Sequence, residues 1–106
     1  MPQIRLRVPS PVPKGEIIEI KTLITHDMES GQRHDARGQV IARKILKRFT
    51  CSLNGRELIA ADWYPAVAAN PYFVFHLRAI ESGKLTFAWT DDDGTVYTET
   101  ATLTVT

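Results

Sequence analysis

An all-β, immunoglobulin-like antiparallel β-sandwich of about seven strands is the fold this sequence predicts, and three observations predict it. Short segments of alternating apolar and polar residues recur along the chain, as in strands with one buried and one wetted face. Turn-forming residues separate these segments. No segment carries the 3.6-residue apolar period of a helix. With 106 residues, the chain is expected to form a single domain, residues 1–106.

The elements follow in order. "RLRV" (5–8) alternates briefly and is ended by Pro9, Pro11 and Pro13, which suit an edge or connector because proline cannot donate to a ladder. "EIIEIKTLIT" (16–25) places Ile18, Ile20, Thr22 and Ile24 on one face. "RFTCSLNG" (48–55) places Phe49, Cys51 and Leu53 together and stops at Asn54-Gly55, a strong two-residue hairpin signal. "RELIAADW" (56–63) is the return strand. "YFVFHLRA" (72–79) sets Phe73, Phe75, Leu77 and Ala79 inward, with Tyr72, Val74, His76 and Arg78 outward. "KLTFAWTD" (84–91) repeats the pattern with Leu85, Phe87 and Trp89, and "TVYTETATLTV" (95–105) closes it with Tyr97, Ala101, Leu103 and Val105 opposite a file of threonines. The polar stretch 26–38, "HDMESGQRHDARG", reads as an exposed hairpin loop.

Composition narrows the function. Hydrophobic residues make up 43% and charged residues 24%, an ordinary globular balance that supports one core without staples. A formal charge of +1 gives no support for nucleic-acid or membrane-surface binding. Six of the 13 basic residues, Arg33, Arg37, Arg43, Lys44, Lys47 and Arg48, nevertheless fall in one stretch. That run reads as a solvated face or, through Arg43, Lys44, Lys47 and Arg48, as a docking surface for acidic partners. The single cysteine, Cys51, excludes an intramolecular disulfide. The first fifteen residues lack the apolar stretch of a secretory signal. Export, if it occurs, is therefore expected to need a companion.

Three groups could carry chemistry. The contiguous acids Asp91, Asp92 and Asp93 before Gly94 lack the alternation and distal glutamate of a calcium loop. With strands on both sides, Asp93-Gly94 reads as a type I′ hairpin turn with an acidic tip. His26, His34 and His76, with Cys51, could serve a redox iron or copper site, but they lack ligand-type spacing. Cys51 could be a nucleophile with His26 or His34 as base, yet its strand position faces the core. No catalytic residue, cofactor or metal site is assigned. The aromatic segment "ADWYPAVAANPYFVF" (61–75), with Trp63, Tyr64, Pro65, Pro71, Tyr72 and Phe73 around small residues, reads either as a crossing between sheets or as a partner surface.

Four stretches also carry a family resemblance: "KTLITHDMESGQR", "RKILKRFTCSLNG", "YPAVAANPYFVFHLRAIESGKLTFAWTDDDG" and "ATLTV". Together they resemble the SoxZ family, the Z subunits of the sulfur-oxidising (Sox) carrier complex. Residues 68–94, with "ANPY", "ESG" and "WTDDDG", are the most specific part. Asp27 stands where the family pattern has proline after the histidine. The resemblance implies a non-catalytic scaffold subunit of the SoxYZ complex and a heterodimer with SoxY. In that family SoxY carries sulfur intermediates of thiosulfate oxidation on a cysteine at the end of a mobile arm. It also implies a periplasmic location, reached with the signal-bearing partner, and transient docking with other Sox enzymes. Tyr64, Pro71, Tyr72, Phe73 and Phe75 are the expected partner-binding residues. A homodimer is the expected alternative for the isolated chain. Two competing readings remain open: a small metal-centred redox enzyme on a similar sandwich, and a generic sandwich that binds peptides at a sheet edge.

Overall fold

The computed structural model describes residues 2–64, 67 and 69–106. Seven strands form in chain order: β1 (Ile4–Arg7), β2 (Ile17–Ile24), β3 (Leu46–Leu53), β4 (Arg56–Asp62), β5 (Tyr72–Arg78), β6 (Gly83–Asp91) and β7 (Val96–Leu103). All pairings between them are antiparallel. One sheet has the order β1-β2-β5 and the other β4-β3-β6-β7. This is the two-layer all-β sandwich that alternation predicts.

The inward parity of each strand supplies the core. Ile18, Ile20, Thr22 and Ile24 of β2 are buried, as are Phe49, Cys51 and Leu53 of β3 and Leu85, Phe87 and Trp89 of β6. Thr22, a polar residue in this set, donates its hydroxyl to the Phe73 carbonyl at 2.9 Å, so its burial leaves no hydroxyl unpaired. Phe49 lies at the centre, with ring centroids 5.1 Å from Phe73, 5.2 Å from Trp89, 5.7 Å from Phe75 and 6.1 Å from Trp63. Those rings come from both sheets and from the chain following β4, so this one side chain ties the layers together.

The two hairpin tips of the larger sheet differ. Asn54 and Gly55 both have positive φ, 51° and 83°, as the type I′ turn between β3 and β4 requires. The Asn54 side chain also reaches across to β6, accepting from the Lys84 N–H at 3.0 Å and donating to the Ser82 carbonyl at 3.2 Å. A Cβ at Gly83 would collide with it. At the β6–β7 tip, positive φ falls on Gly94 (90°) but not on Asp93. Gly94 N–H donates to the Asp91 carbonyl at 2.9 Å, and Asp91 N–H to the Thr95 carbonyl at 2.8 Å. The tip is thus a three-residue loop with glycine in the left-handed position, which corrects the type I′ expectation.

The polar stretch is longer and more ordered than a loop over 26–38. Glu29 and Lys44 exchange both backbone hydrogen bonds at 2.8 Å, Ile41 N–H donates to Arg33 O at 2.8 Å, and Asp35 N–H to Gln39 O at 2.8 Å. The Asp35 carboxylate accepts from the N–H groups of Arg37 and Gln39 and closes the tip. Residues 29–44 are therefore a hairpin arm, exposed throughout 32–40, on a molecule of 58 × 21 × 20 Å.

Candidate functional site

The acids of the triplet and the basic run meet each other at the base of the arm. Alternation along β6 gives Asp91 the same parity as Leu85, Phe87 and Trp89, and it is fully buried. Its carboxylate meets His26 Nε2 at 2.7 Å. His26 Nδ1 accepts the Met28 N–H at 2.9 Å, so Nε2 is the nitrogen that donates to Asp91. Met28 has a positive φ of 52°, is buried, and its sulfur accepts the Leu46 N–H at 3.3 Å. Both imidazole nitrogens are engaged in holding the entry to the arm against the end of β6. A histidine so occupied has no free nitrogen to act as a base on a substrate.

Asp92 takes Arg43 bidentately, at 2.9 Å from Nε and 2.9 Å from Nη2, and also accepts the Ile45 N–H at 3.1 Å. The guanidinium hydrogen bonds, helped by that N–H, hold its carboxyl down at about 2 against the opposing effect of burial. Asp93 pairs with Lys44 at 3.5 Å and caps the loop by accepting the Thr95 N–H at 2.8 Å. Lys44 is held above the ordinary lysine range by the charges of Asp91 and then Asp93. Elsewhere in the run, Arg33 binds Glu29 at 2.7 Å and Arg48 binds Asp62 at 2.8 Å. The Arg33 hydrogen bond in turn lowers Glu29.

The four proposed docking cations thus have unequal freedom. Arg43, Lys44 and Arg48 are engaged with acids of the chain itself, whereas Lys47 is exposed and in no ion pair among the described residues. A groove of about 340 Å³ beside this cluster is lined by His26, Asp27, Lys44, Asn70 and Tyr97. Its polar walls are already bonded to one another: Asn70 Oδ1 accepts the His26 N–H at 2.9 Å, and the His26 carbonyl accepts the Asn70 N–H at 2.6 Å.

The expected partner-binding residues divide by exposure. Tyr64 and Tyr72 are 67% and 59% exposed, and so available. Pro71 and Phe75 are buried, and Phe73 is half-buried against Phe49 and Trp63. These three shape the surface from beneath. Pro65, Ala66 and Ala68 of the same segment lie outside the described residues.

The candidate metal ligands do not converge. His26 is latched to Asp91, His34 sits on the arm, His76 pairs with Glu19 at 3.4 Å on the outer face of the smaller sheet, and Cys51 is in the core. Among the described residues no three His, Cys, Asp or Glu side chains are grouped to hold a metal ion. Burial pushes the Cys51 thiol up to about 12, which suppresses the thiolate that nucleophilic chemistry needs.

The His26–Asp91 pair went unrecognised in the sequence, although a signal was present. Asp91 continues the inward parity of β6, and a buried carboxylate needs a partner. Which partner it has depends on the fold of the arm.

The fold is widely shared. A superoxide reductase (neelaredoxin) from Ignicoccus hospitalis aligns with a TM-score of 0.71 and 13% identity, over 97% of this chain and 79% of that one. The sulfur carrier protein SoxY from Chlorobium limicola f thiosulfatophilum aligns with a TM-score of 0.65 and 11% identity, over 97% of this chain and 78% of that one. At such identities the likeness is one of fold. No curated protein matches the sequence. The family described as sulphur oxidation protein SoxZ matches residues 4–102, nearly the whole chain and all seven strands but the last residue of β7, and the chain belongs to that family.

Proposed function

We propose that the chain is a non-catalytic subunit of the sulfur-oxidising SoxYZ carrier complex, a rigid sandwich that binds SoxY while SoxY carries cysteine-bound sulfur during thiosulfate oxidation. The observation that carries this reading, given the family, is the state of Cys51. It is the chain's one thiol, it is fully buried between the sheets, and burial disfavours its thiolate. A swinging sulfur carrier needs an accessible nucleophile, so the carrying cysteine belongs on the partner. The engaged imidazole of His26 and the dispersal of the other histidines favour this reading over a metal-centred redox enzyme. In this reading the heterodimer works in the periplasm, the chain travels there with SoxY, and other Sox enzymes dock transiently.

Co-expression with the cognate SoxY tests the proposal. A one-to-one complex is expected by size-exclusion chromatography. Tyr64→Ala with Tyr72→Ala should weaken it by roughly tenfold or more, as loss of exposed aromatic anchors does. A fully folded double variant that binds SoxY as tightly as the parent would overturn that surface. A thiol reagent should leave Cys51 unmodified until the chain unfolds. Stoichiometric iron or copper in untagged protein would overturn the scaffold reading.

A further inference from the structure

The smaller sheet carries a second charged surface that does not stand out in the linear sequence. Its core-facing residues alternate with an outer set, and the register brings that set into rows. Arg5 stands across from Leu23 and Leu23 across from Tyr72, while Arg7 stands across from Lys21 and Lys21 across from Val74. Further along, Glu19 faces His76 and Ile17 faces Arg78. Counting full charges, four cations (Arg5, Arg7, Lys21 and Arg78) share this face with one carboxylate, Glu19. The face therefore carries +3, in a chain whose whole formal charge is +1.

Three features separate this face from an ordinary solvated one. Arg7 and Lys21 lie directly opposite each other on neighbouring strands, where like charges repel and weaken the pairing. Relief within the chain is slight: Lys21 reaches Glu19 at 3.4 Å, and Arg5 and Arg7 make no ion pair among the described residues. Apolar groups are interleaved with the cations, with Ile17 and Tyr72 60% and 59% exposed. Finally, Arg5, Arg7, Lys21, Leu23 and Tyr72 wall a groove of about 290 Å³. A cross-strand repulsion retained beside an open groove is the kind of local conflict that function, rather than folding, explains.

We infer that the outer face of β1-β2-β5 docks an acidic protein surface, one that places carboxylates between Arg5, Arg7 and Lys21 and an apolar side chain against Leu23 and Tyr72. The partner's carboxylates neutralise the repulsion that Glu19 relieves only slightly, and the apolar rows supply burial that a phosphate backbone would not use. The 33–48 run, though richer in cations, has four of its six paired within the chain, with Glu29, Asp62, Asp92 and Asp93. This inference concerns the chemistry of a surface and stands whether or not SoxY is the protein that covers it.

The test is an NMR titration of the ¹⁵N-labelled chain with a peptide of alternating glutamate and phenylalanine. A lysine-for-glutamate peptide and oligothymidylate are run beside it. Amide shifts are expected at Arg5, Arg7, Lys21, Leu23, Tyr72 and Val74, saturating with the acidic peptide only. Arg7→Gln and Lys21→Gln should each weaken binding roughly threefold, the scale of one exposed charge pair. Removing either charge should also leave the melting temperature unchanged or raised, because it relieves the Arg7–Lys21 repulsion. Affinity and stability thus move in different directions, which a merely structural role would not produce. Shifts centred on 33–48, equal binding of oligothymidylate, or peptide binding unaffected by Arg7→Gln and Lys21→Gln would each overturn the inference.

Discussion

The chain has two basic regions, and they differ in what answers their charge. In the 33–48 run the cations are near one another in sequence, and the fold brings a carboxylate to each of Arg33, Arg43, Lys44 and Arg48. On the outer face of the smaller sheet, Arg5, Arg7, Lys21 and Arg78 come from three strands, and Glu19 is the one acid among them. The region that looks most basic in sequence is therefore the better neutralised. A density of lysine and arginine is not a potential; the acids that folding delivers decide the local field.

The largest expected effect probes the neutralised region at its buried root. His26→Ala leaves the Asp91 carboxylate in the core without its 2.7 Å partner, and should cost about 3 kcal/mol by chemical denaturation, the scale for leaving a buried charge without its partner. An unchanged midpoint would mean that the arm's attachment does not depend on this pair. Replacing both residues, His26→Phe with Asp91→Leu, should recover part of the loss, because no unpaired group then remains.

Asp92→Ala comes next, at about 1 kcal/mol, since it removes a bidentate guanidinium contact and frees the Ile45 N–H. The same carboxylate sets a pH signature. Its folded pKa, about 2, lies below the ordinary aspartate value of 3.8, so the stabilisation it brings is present above pH 3.8 and is lost as pH falls through about 2. Parent and Asp92→Asn should therefore converge in stability on acidification across that window. A gap between them that stays constant down to pH 2 would show that the Arg43 contact is not electrostatic.

The smallest effect probes the other region and has the opposite sign. Arg7→Gln or Lys21→Gln should raise stability by a few tenths of a kcal/mol at low salt, as relief of a like-charge cross-strand pair does. Salt at 1 M should erase that gain, because exposed charges are then screened within about 3 Å. A loss of stability in both variants would abolish the contrast between the two surfaces.

Much of the fold was legible because strand alternation is a local property. The parity of Ile18, Ile20 and Ile24, of Phe49 and Leu53, and of Leu85, Phe87 and Trp89 assigns the inner faces before any pairing is known. Asn54-Gly55 names its own turn in the same way, because two successive positive φ values are needed there. The Asp91–Gly94 tip misled for the reciprocal reason. Asp-Gly fits several hairpin geometries, and which one forms depends on where β6 ends; Asp91 is still part of the strand, its carboxylate paired with His26, 65 residues away.

The sequence by itself determined the strand segments, their buried faces, the family and the inward-facing cysteine, all of which follow from residue type and spacing along the chain. Only the tertiary structure decided which charges cancel. The partners of Asp91, Asp92 and Asp93 lie 65, 49 and 49 residues away, at His26, Arg43 and Lys44, and the opposition of Arg7 to Lys21 depends on the register of β1 against β2. Electrostatic neutralisation falls steeply with distance, and distance between remote residues exists only once the sheets have packed.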